Sequence, residues 1–354
     1  MVVTRRHRLL VGAAIAMLGL ATAAHLLLGA VAGAIVSIPA LVLVGPLVAD
    51  GTDELRGRVS TGIVGIVQPA FGNVAELAIT LVALAHGLPE LARIAIAGSL
   101  LSNGILVAGV AGLSRLVAAR SLRNGVLEFE PRLFTGLATL SVIAVVPIAL
   151  LSFWTGNDLT SADRANVSFA AGVVLVVLGA LYMAAHVAVG ADAEPSEPEA
   201  GGSGRLAALL LVVGAVTAAI GSEWFVDGFQ PTATAVGIPA VFAALVIVPL
   251  IGNIGESYAA VRLASAGEGD AAMGVLMNSV MQVATVMTGV LVVASRFMRQ
   301  PLTLTFDPLV ALALLLSLIV LWMIVHDGAV RPTEAVGLIS LYAIVAAAVW
   351  VEAV

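Results

Sequence analysis

The chain has no cysteine and no lysine, and charged side chains make up only 11% of its 354 residues. The first absence excludes disulfides and thiolate metal sites, and says nothing about redox compartment. The second leaves arginine to supply all sixteen basic residues, which reads as a composition bias and not as chemistry. The scarcity of charge excludes the most. A soluble chain of this length carries roughly a quarter charged residues, so the missing charge must face lipid or protein interior. Aromatic residues nowhere interleave with basic clusters, which excludes a nucleic-acid-binding surface. The net charge of −6 gathers partly in one acidic loop and carries no inference about partners.

What is present instead is apolar surface: 60% of the residues are hydrophobic and the mean hydropathy is +1.11. Long runs with few charges recur from end to end, and no soluble body remains once they are set aside. The expected fold class is an all-α polytopic membrane protein, because lipid cannot satisfy free backbone groups and helices satisfy their own. Eleven spans fit, at roughly 9–28, 30–49, 60–86, 93–117, 133–154, 166–188, 205–228, 237–266, 271–294, 305–325 and 333–352. Arg5-Arg6-His7-Arg8, an apolar run and Ala21-Thr22-Ala23 have the form of a cleaved signal peptide. The next span begins almost at once near Ala30, so the segment is read as an uncleaved first helix. With the N-terminus inside, twelve arginines fall on the cytoplasmic side and four outside (Arg93, Arg164, Arg296 and Arg299), as the positive-inside rule requires. Eleven spans then place the C-terminus outside. The absence of an organellar targeting segment points to the plasma membrane.

Residues 190–204 form an acidic, proline- and glycine-rich linker of disordered composition on the cytoplasmic side. It divides a first repeat, 30–189, from a second, 205–354, and leaves residues 1–29 outside both. Each half holds five spans. An odd number makes the second copy enter the membrane from the opposite side, an inverted repeat.

One pattern occurs in both halves. Pro69-Ala70-Phe71-Gly72-Asn73-Val74-Ala75-Glu76 and Pro249-Leu250-Ile251-Gly252-Asn253-Ile254-Gly255-Glu256 both read P-x-x-G-N-x-x-E, offset by 180 residues. The same offset relates Ser99 to Ser279, Ser102 to Gln282, and Gly87 to Gly267. Each glutamate lies eleven residues before the glycine that ends its helix, about 16 Å at 1.5 Å per residue. That is about half of a ~30 Å hydrocarbon core, so both carboxylates are expected at the midplane. Each proline removes a donor and frees the carbonyl four residues earlier, Gly65 or Leu245. Hard cations take carboxylate, carbonyl and amide oxygens. Glu76, Glu256, Asn73, Asn253 and the backbone at Gly72 and Gly252 are therefore the candidate cation and proton site. Ser99, Ser102, Asn103, Asn278, Ser279 and Gln282 are candidate ligands or supports, or residues that simply pack helices, as small polar side chains do in membranes. A mid-membrane glutamate costs at least ~2.5–3.5 kcal/mol on insertion scales, and two in matching places argue for function.

Paired carboxylates imply a coupling scheme. Without a cation the pair takes up protons, because two like charges in low dielectric are costly; a divalent cation stabilises the doubly ionised form and expels them. Competition for one site gives exchange, provided the empty charged site cannot reorient. Glu223 and Asp227, at i and i+4 near the outer end of span 7, read as a solvated helix end, or else as a cation funnel or proton port. Asp50, Asp53 and Glu54 at the other end of span 2 invite the same readings. His7, His25, His86, His186 and His326 fall near span ends without metal-ligand spacing and read as interfacial. An intramembrane hydrolase would need a serine with a histidine base, H-E-x-x-H, or paired aspartates at mid-depth, and none is present. A passive channel would show saturating current without proton coupling.

These residues resemble the cation/proton exchanger (CAX) family of the Ca²⁺/cation antiporter superfamily. The likeness runs through spans 2–11 and rests on Phe71 through Glu76, Gly98-Ser99-Leu100-Leu101-Ser102-Asn103, Glu223-Trp224-Phe225-Val226-Asp227, Pro249 through Glu256, and Gln300-Pro301-Leu302-Thr303-Leu304-Thr305-Phe306. The resemblance implies an eleven-helix secondary transporter, not an enzyme, that exports cytosolic Ca²⁺ in exchange for external protons by alternating access and uses no cofactor. Its motif glutamates map onto Glu76 and Glu256, its peripheral first helix onto 9–28, and its regulatory acidic segment onto 190–204. The chain departs from the family at Ser257, where histidine is usual, at Asn278-Ser279-Val280-Met281-Gln282, and at Gln68-Pro69. These departures bear on ion choice, and a Na⁺ or K⁺/H⁺ antiporter on the same scaffold is the alternative. The sequence leaves a homo-oligomer open.

Overall fold

A computed structural model of the chain describes residues 4–55, 71–123, 125–154, 160–191 and 203–353. Its helices are α1 (Arg5–Leu28), α2 (Ala30–Asp53), α3 (Val74–Ala85), α4 (Pro89–Ala119), α5 (Pro131–Phe153) and α6 (Ser161–Ala191). They continue with α7 (Gly204–Ala235), α8 (Ala240–Gly252), α9 (Ile254–Ala266), α10 (Gly269–Ser295), α11 (Pro308–Asp327) and α12 (Pro332–Ala353). Two-residue strands, β1 (Leu127–Glu128) and β2 (Ala329–Val330), pair antiparallel with Leu127 opposite Val330. Among the described residues nine helices are long and apolar enough to cross a membrane, and the bent pair α8–α9 makes a tenth. The remaining predicted span, 60–86, is described only from Phe71, as the short apolar helix α3. The expected all-α polytopic class is the class observed. Pro69, Gln68, the Gly65 carbonyl, Arg56, Arg58 and linker residues 192–202 lie outside the described residues.

Helix ends follow capping chemistry more closely than hydropathy. Thr4, Ser203 and Asp307 each accept a backbone N–H of the first turn, and Pro89, Pro131 and Pro308 open helices where no donor is needed. Helices α1 and α4 accordingly begin four residues before their apolar runs. Helix α7 passes Pro231 and ends seven residues beyond the expected 228. Gly228 does not terminate it: a Cβ there would collide with the Ala30 carbonyl, so this glycine serves helix contact.

The chain forms two compact units, each drawing on both halves of the sequence. The first comprises Met1–His86, Gly179–Ala240 and Ile251–Gly255. In it, Ala14 of α1, Leu47 of α2, and Leu206 and Leu210 of α7 form one apolar cluster, and Val44, Val48, Ala75 and Ala218 another. The second cluster holds the first turn of α3 against α2 and α7. Where Gly45 meets Gly255, an added Cβ would lie 2.9 Å from the opposing Cα.

The second unit comprises Gly87–Leu178, Val241–Leu250 and Glu256–Val354. Here Gly98 of α4 lies directly on Leu245 and Pro249, and Gly172 of α6 on Gly289 of α10. Residues 302–306 have no regular secondary structure, bury Leu302, Leu304 and Phe306, and rely on serines to satisfy alternate backbone N–H groups. Leu302, Leu304 and Phe306 donate their N–H groups to Ser295 (2.7 Å), Ser168 (2.9 Å) and Ser152 (2.9 Å). Arg93 donates to the Thr305 carbonyl at 2.7 Å. Irregular backbone in a membrane protein is tolerated only when satisfied in this way.

The 180-residue offset persists in the backbone. Helices α3 and α9 start at Val74 and Ile254, each directly after an asparagine. Gly87 and Gly267 follow them with φ of +74° and +86°, a conformation that favours glycine. Helices α4 and α10 then start at Pro89 and Gly269 and widen into π-helical turns over Ser102–Val107 and Val283–Met287. A third π-turn, Ala243–Ile247, lies just ahead of Pro249.

Candidate functional site

The expected span 237–266 is not one continuous helix: it passes Pro249 and breaks at Asn253, where α8 and α9 meet at 65°. The π-turn before Pro249 widens the helix where the proline lacks its donor. The Leu245 carbonyl, expected as an open ligand, is covered by Gly98.

In the first unit, Glu76 occupies the first turn of α3 and is fully buried. Asn73 and Asn253 are buried as well, and Gly72 lies in the turn before the break at Asn73. Gly252 packs on Glu76 so closely that an added Cβ would stand 3.0 Å from the Glu76 Cβ. Thr80 returns its hydroxyl to the Glu76 carbonyl oxygen at 2.8 Å. The carboxylate sits at a helix N-terminus, where the macrodipole favours negative charge.

In the second unit, Glu256 takes the equivalent first-turn position on α9. A hydrogen-bond chain reaches it from two other helices. Asn103 Nδ2 donates to Ser279 Oγ at 2.9 Å, and the Ser279 hydroxyl donates to the Glu256 carboxylate. With its oxygen occupied by the amide, Ser279 has its proton directed at the glutamate. Glu256 Oε2 and Ser102 Oγ are buried and find no hydrogen-bond partner among the described residues. Ser99 and Gln282 are buried in the same unit, whereas Asn278 returns an amide hydrogen to its own helix at Gly274, 2.8 Å away. Ser102 opens one π-turn and Gln282 immediately precedes the other. Such bulges often mark functional positions. These carboxylate, amide and hydroxyl oxygens are the donor set of a hard cation.

Sequence reasoning missed three features. The π-turns have no local signature beyond the serine and glutamine register. The serines that hold residues 302–306 come from three different helices. Glu223 and Asp227 are both partly exposed and each meets a histidine: His86 Nε2 lies 2.8 Å from Glu223 Oε1, and His25 Nε2 lies 3.8 Å from Asp227 Oδ2. At the opposite end of α2, Asp50 is buried, with Arg6 at 2.7 Å and His7 at 3.7 Å. Three of the histidines read as interfacial are thus partnered, by residues far away in sequence.

The fold and its polar interior define a multi-pass helical membrane protein with carboxylates inside its helical spans. The chain matches the sodium/calcium exchanger protein family over residues 9–188 and 206–351, and it belongs to that family. It is 30% identical over 333 residues to a Ca²⁺/H⁺ antiporter of Synechocystis sp., covering 87% of this chain and 88% of that one. Among solved structures, it resembles native YfkE with a TM-score of 0.79 at 24% identity, over 98% of this chain and 99% of the other. It also resembles the H⁺/Ca²⁺ exchanger CAX with a TM-score of 0.73 at 16% identity, over 99% and 93%. At those identities the two structures speak to fold alone.

Proposed function

We propose that the chain is a secondary-active antiporter that exchanges cytosolic Ca²⁺ for external protons by alternating access, with Glu76 and Glu256 shared between cation and protons. The observation that carries this reading is the duplicated glutamate, placed each time in the first turn after an asparagine break. The Synechocystis relative, matched over most of both chains, bears the name of that activity. An ionised carboxylate away from water is costly unless a cation or a proton neutralises it. Binding of Ca²⁺ therefore releases protons, and reprotonation releases Ca²⁺. The asparagines at the breaks and the Asn103–Ser279 chain supply neutral oxygens and hold the carboxylates in place. Arginine asymmetry supports a cytoplasmic N-terminus and an external C-terminus in the plasma membrane.

The test is proton efflux from acid-loaded proteoliposomes with an internal pH dye, challenged in turn with external Ca²⁺, Na⁺ and K⁺. Wild type runs beside Glu76→Gln and Glu256→Gln. Alkalinisation by Ca²⁺ alone, abolished in both variants, is the expected result. A response to Na⁺ or K⁺ alone would transfer the scheme to a monovalent cation, and exchange that survives both substitutions together would sink it.

A further inference from the structure

His86 caps the C-terminus of α3: its N–H closes the final turn on the Val82 carbonyl at 2.9 Å, and Gly87 then turns the chain away. Its side chain is fixed at 2.8 Å from Glu223 on α7, so an anchor between two helices sits at one end of a twelve-residue helix. The other end of that helix carries Glu76. There α3 meets α7 through apolar contact, in the cluster of Ala75 and Ala218. The two helices are thus joined by packing beside Glu76 and by a polar bond at the far end.

We infer that His86 is a positioning residue: through Glu223 it pins the C-terminal end of α3 to α7, and protonation of its imidazole tightens the pin. A neutral imidazole offers one hydrogen bond. The imidazolium adds a charge-assisted contact with the carboxylate and a favourable place at the negative end of the α3 dipole. Histidine is the side chain suited to change charge near neutrality. Acid on this side of the membrane therefore steadies the helix that carries Glu76, and alkali loosens it. Among the described residues of the unit, the ionisable groups facing this end of α7 are His25 from α1, His86 beyond α3, and Glu223 and Asp227 from α7 itself. The first turn of α2, Ala30 to Gly33, contributes none. His25 is committed differently. It stacks on Trp224 at 4.1 Å, packs over Gly33, and stays beyond hydrogen-bond distance of Asp227 at 3.8 Å.

The transport consequence rests on the proposed role of Glu76, but the pin itself can be tested without transport. Hydrogen exchange of amides 82–87 would be followed in the full-length protein in nanodiscs at pH 6 and 8, corrected for intrinsic rates. Protection in wild type should fall about two- to fivefold at the higher pH, the range an exposed ion pair supports. His86→Gln should be poorly protected at both values, and His86→Lys, charged at both, well protected at both. Glu223→Gln should reproduce the loss from the partner's side. Protection in wild type that does not change with pH, or a His86→Gln variant that keeps the wild-type change, would overturn the inference. In proteoliposomes, the dependence of the Ca²⁺ KM on pH at this face should flatten in both His86 variants. Unchanged profiles would remove the link to Glu76, whereas a wild type without Ca²⁺-driven flux would refute the proposed function and leave the exchange result to judge the pin.

Discussion

Substitution of Gly252 by alanine probes the close approach on which the first motif's geometry depends. The added Cβ would lie 3.0 Å from Glu76 Cβ and 3.3 Å from Glu76 Cα. Carbon atoms in contact prefer about 3.5–4.0 Å, so the two segments must part by about 0.5–1 Å. Overpacking of this kind costs about 1–3 kcal/mol, and Gly252, as the last residue of α8, is not a helix-interior position where alanine's better propensity would offset it. A net loss of about 1–3 kcal/mol is expected in thermal unfolding of the purified protein. The displaced group is Glu76, and metal–ligand distances are held to within roughly 0.2 Å. The Ca²⁺ KM in the proteoliposome assay should therefore rise about tenfold, the equivalent of 1.4 kcal/mol. Gly136→Ala is the control. Gly136 is interior to α5 with nothing within 4 Å of an added Cβ, so alanine there should stabilise the protein by up to about 1 kcal/mol. If Gly252→Ala matched wild type in both stability and KM, or if Gly136→Ala did equal damage, the argument from close approach would be wrong.

Two further predictions test the polar scaffold of the second unit. Ser279→Ala removes the donor to Glu256 and strands the Asn103 amide. Loss of one such bond to a charged group is worth about 1.5–3 kcal/mol, so cation affinity measured by calorimetry should fall by more than tenfold; an unchanged affinity would refute the chain. Ser168→Ala leaves the buried Leu304 N–H without its acceptor and should cost about 1–3 kcal/mol of stability. It should leave the flux of the surviving folded protein near wild type, and a selective loss of flux at unchanged melting temperature would contradict that structural role.

The parts of the fold legible in the sequence are those set by local rules. Hydropathy placed nearly every span because each must hide its own backbone from lipid. The offset between the motifs carried over into helix starts, left-handed glycines and π-turns, because a repeated sequence meets repeated local demands. Where reading failed, a neighbour decided the outcome. The span expected to end at 228 runs on to Ala235, and Gly228 is a contact surface for Ala30. The span expected over 237–266 passes Pro249, which a π-turn absorbs, and bends at Asn253. The Leu245 carbonyl looked available and is covered by Gly98.

From its sequence alone this protein is determined to be a polytopic helical membrane protein with two glutamates in matching positions. Composition and hydropathy suffice for that, because lipid admits helices and penalises every carboxylate placed among them. Tertiary structure alone decided which side chains meet. Asn103 and Ser279 lie 176 residues apart and His86 and Glu223 lie 137 apart. No local propensity encodes such pairs; they exist because helices remote in the chain are packed together and their polar groups, cut off from water, must find one another.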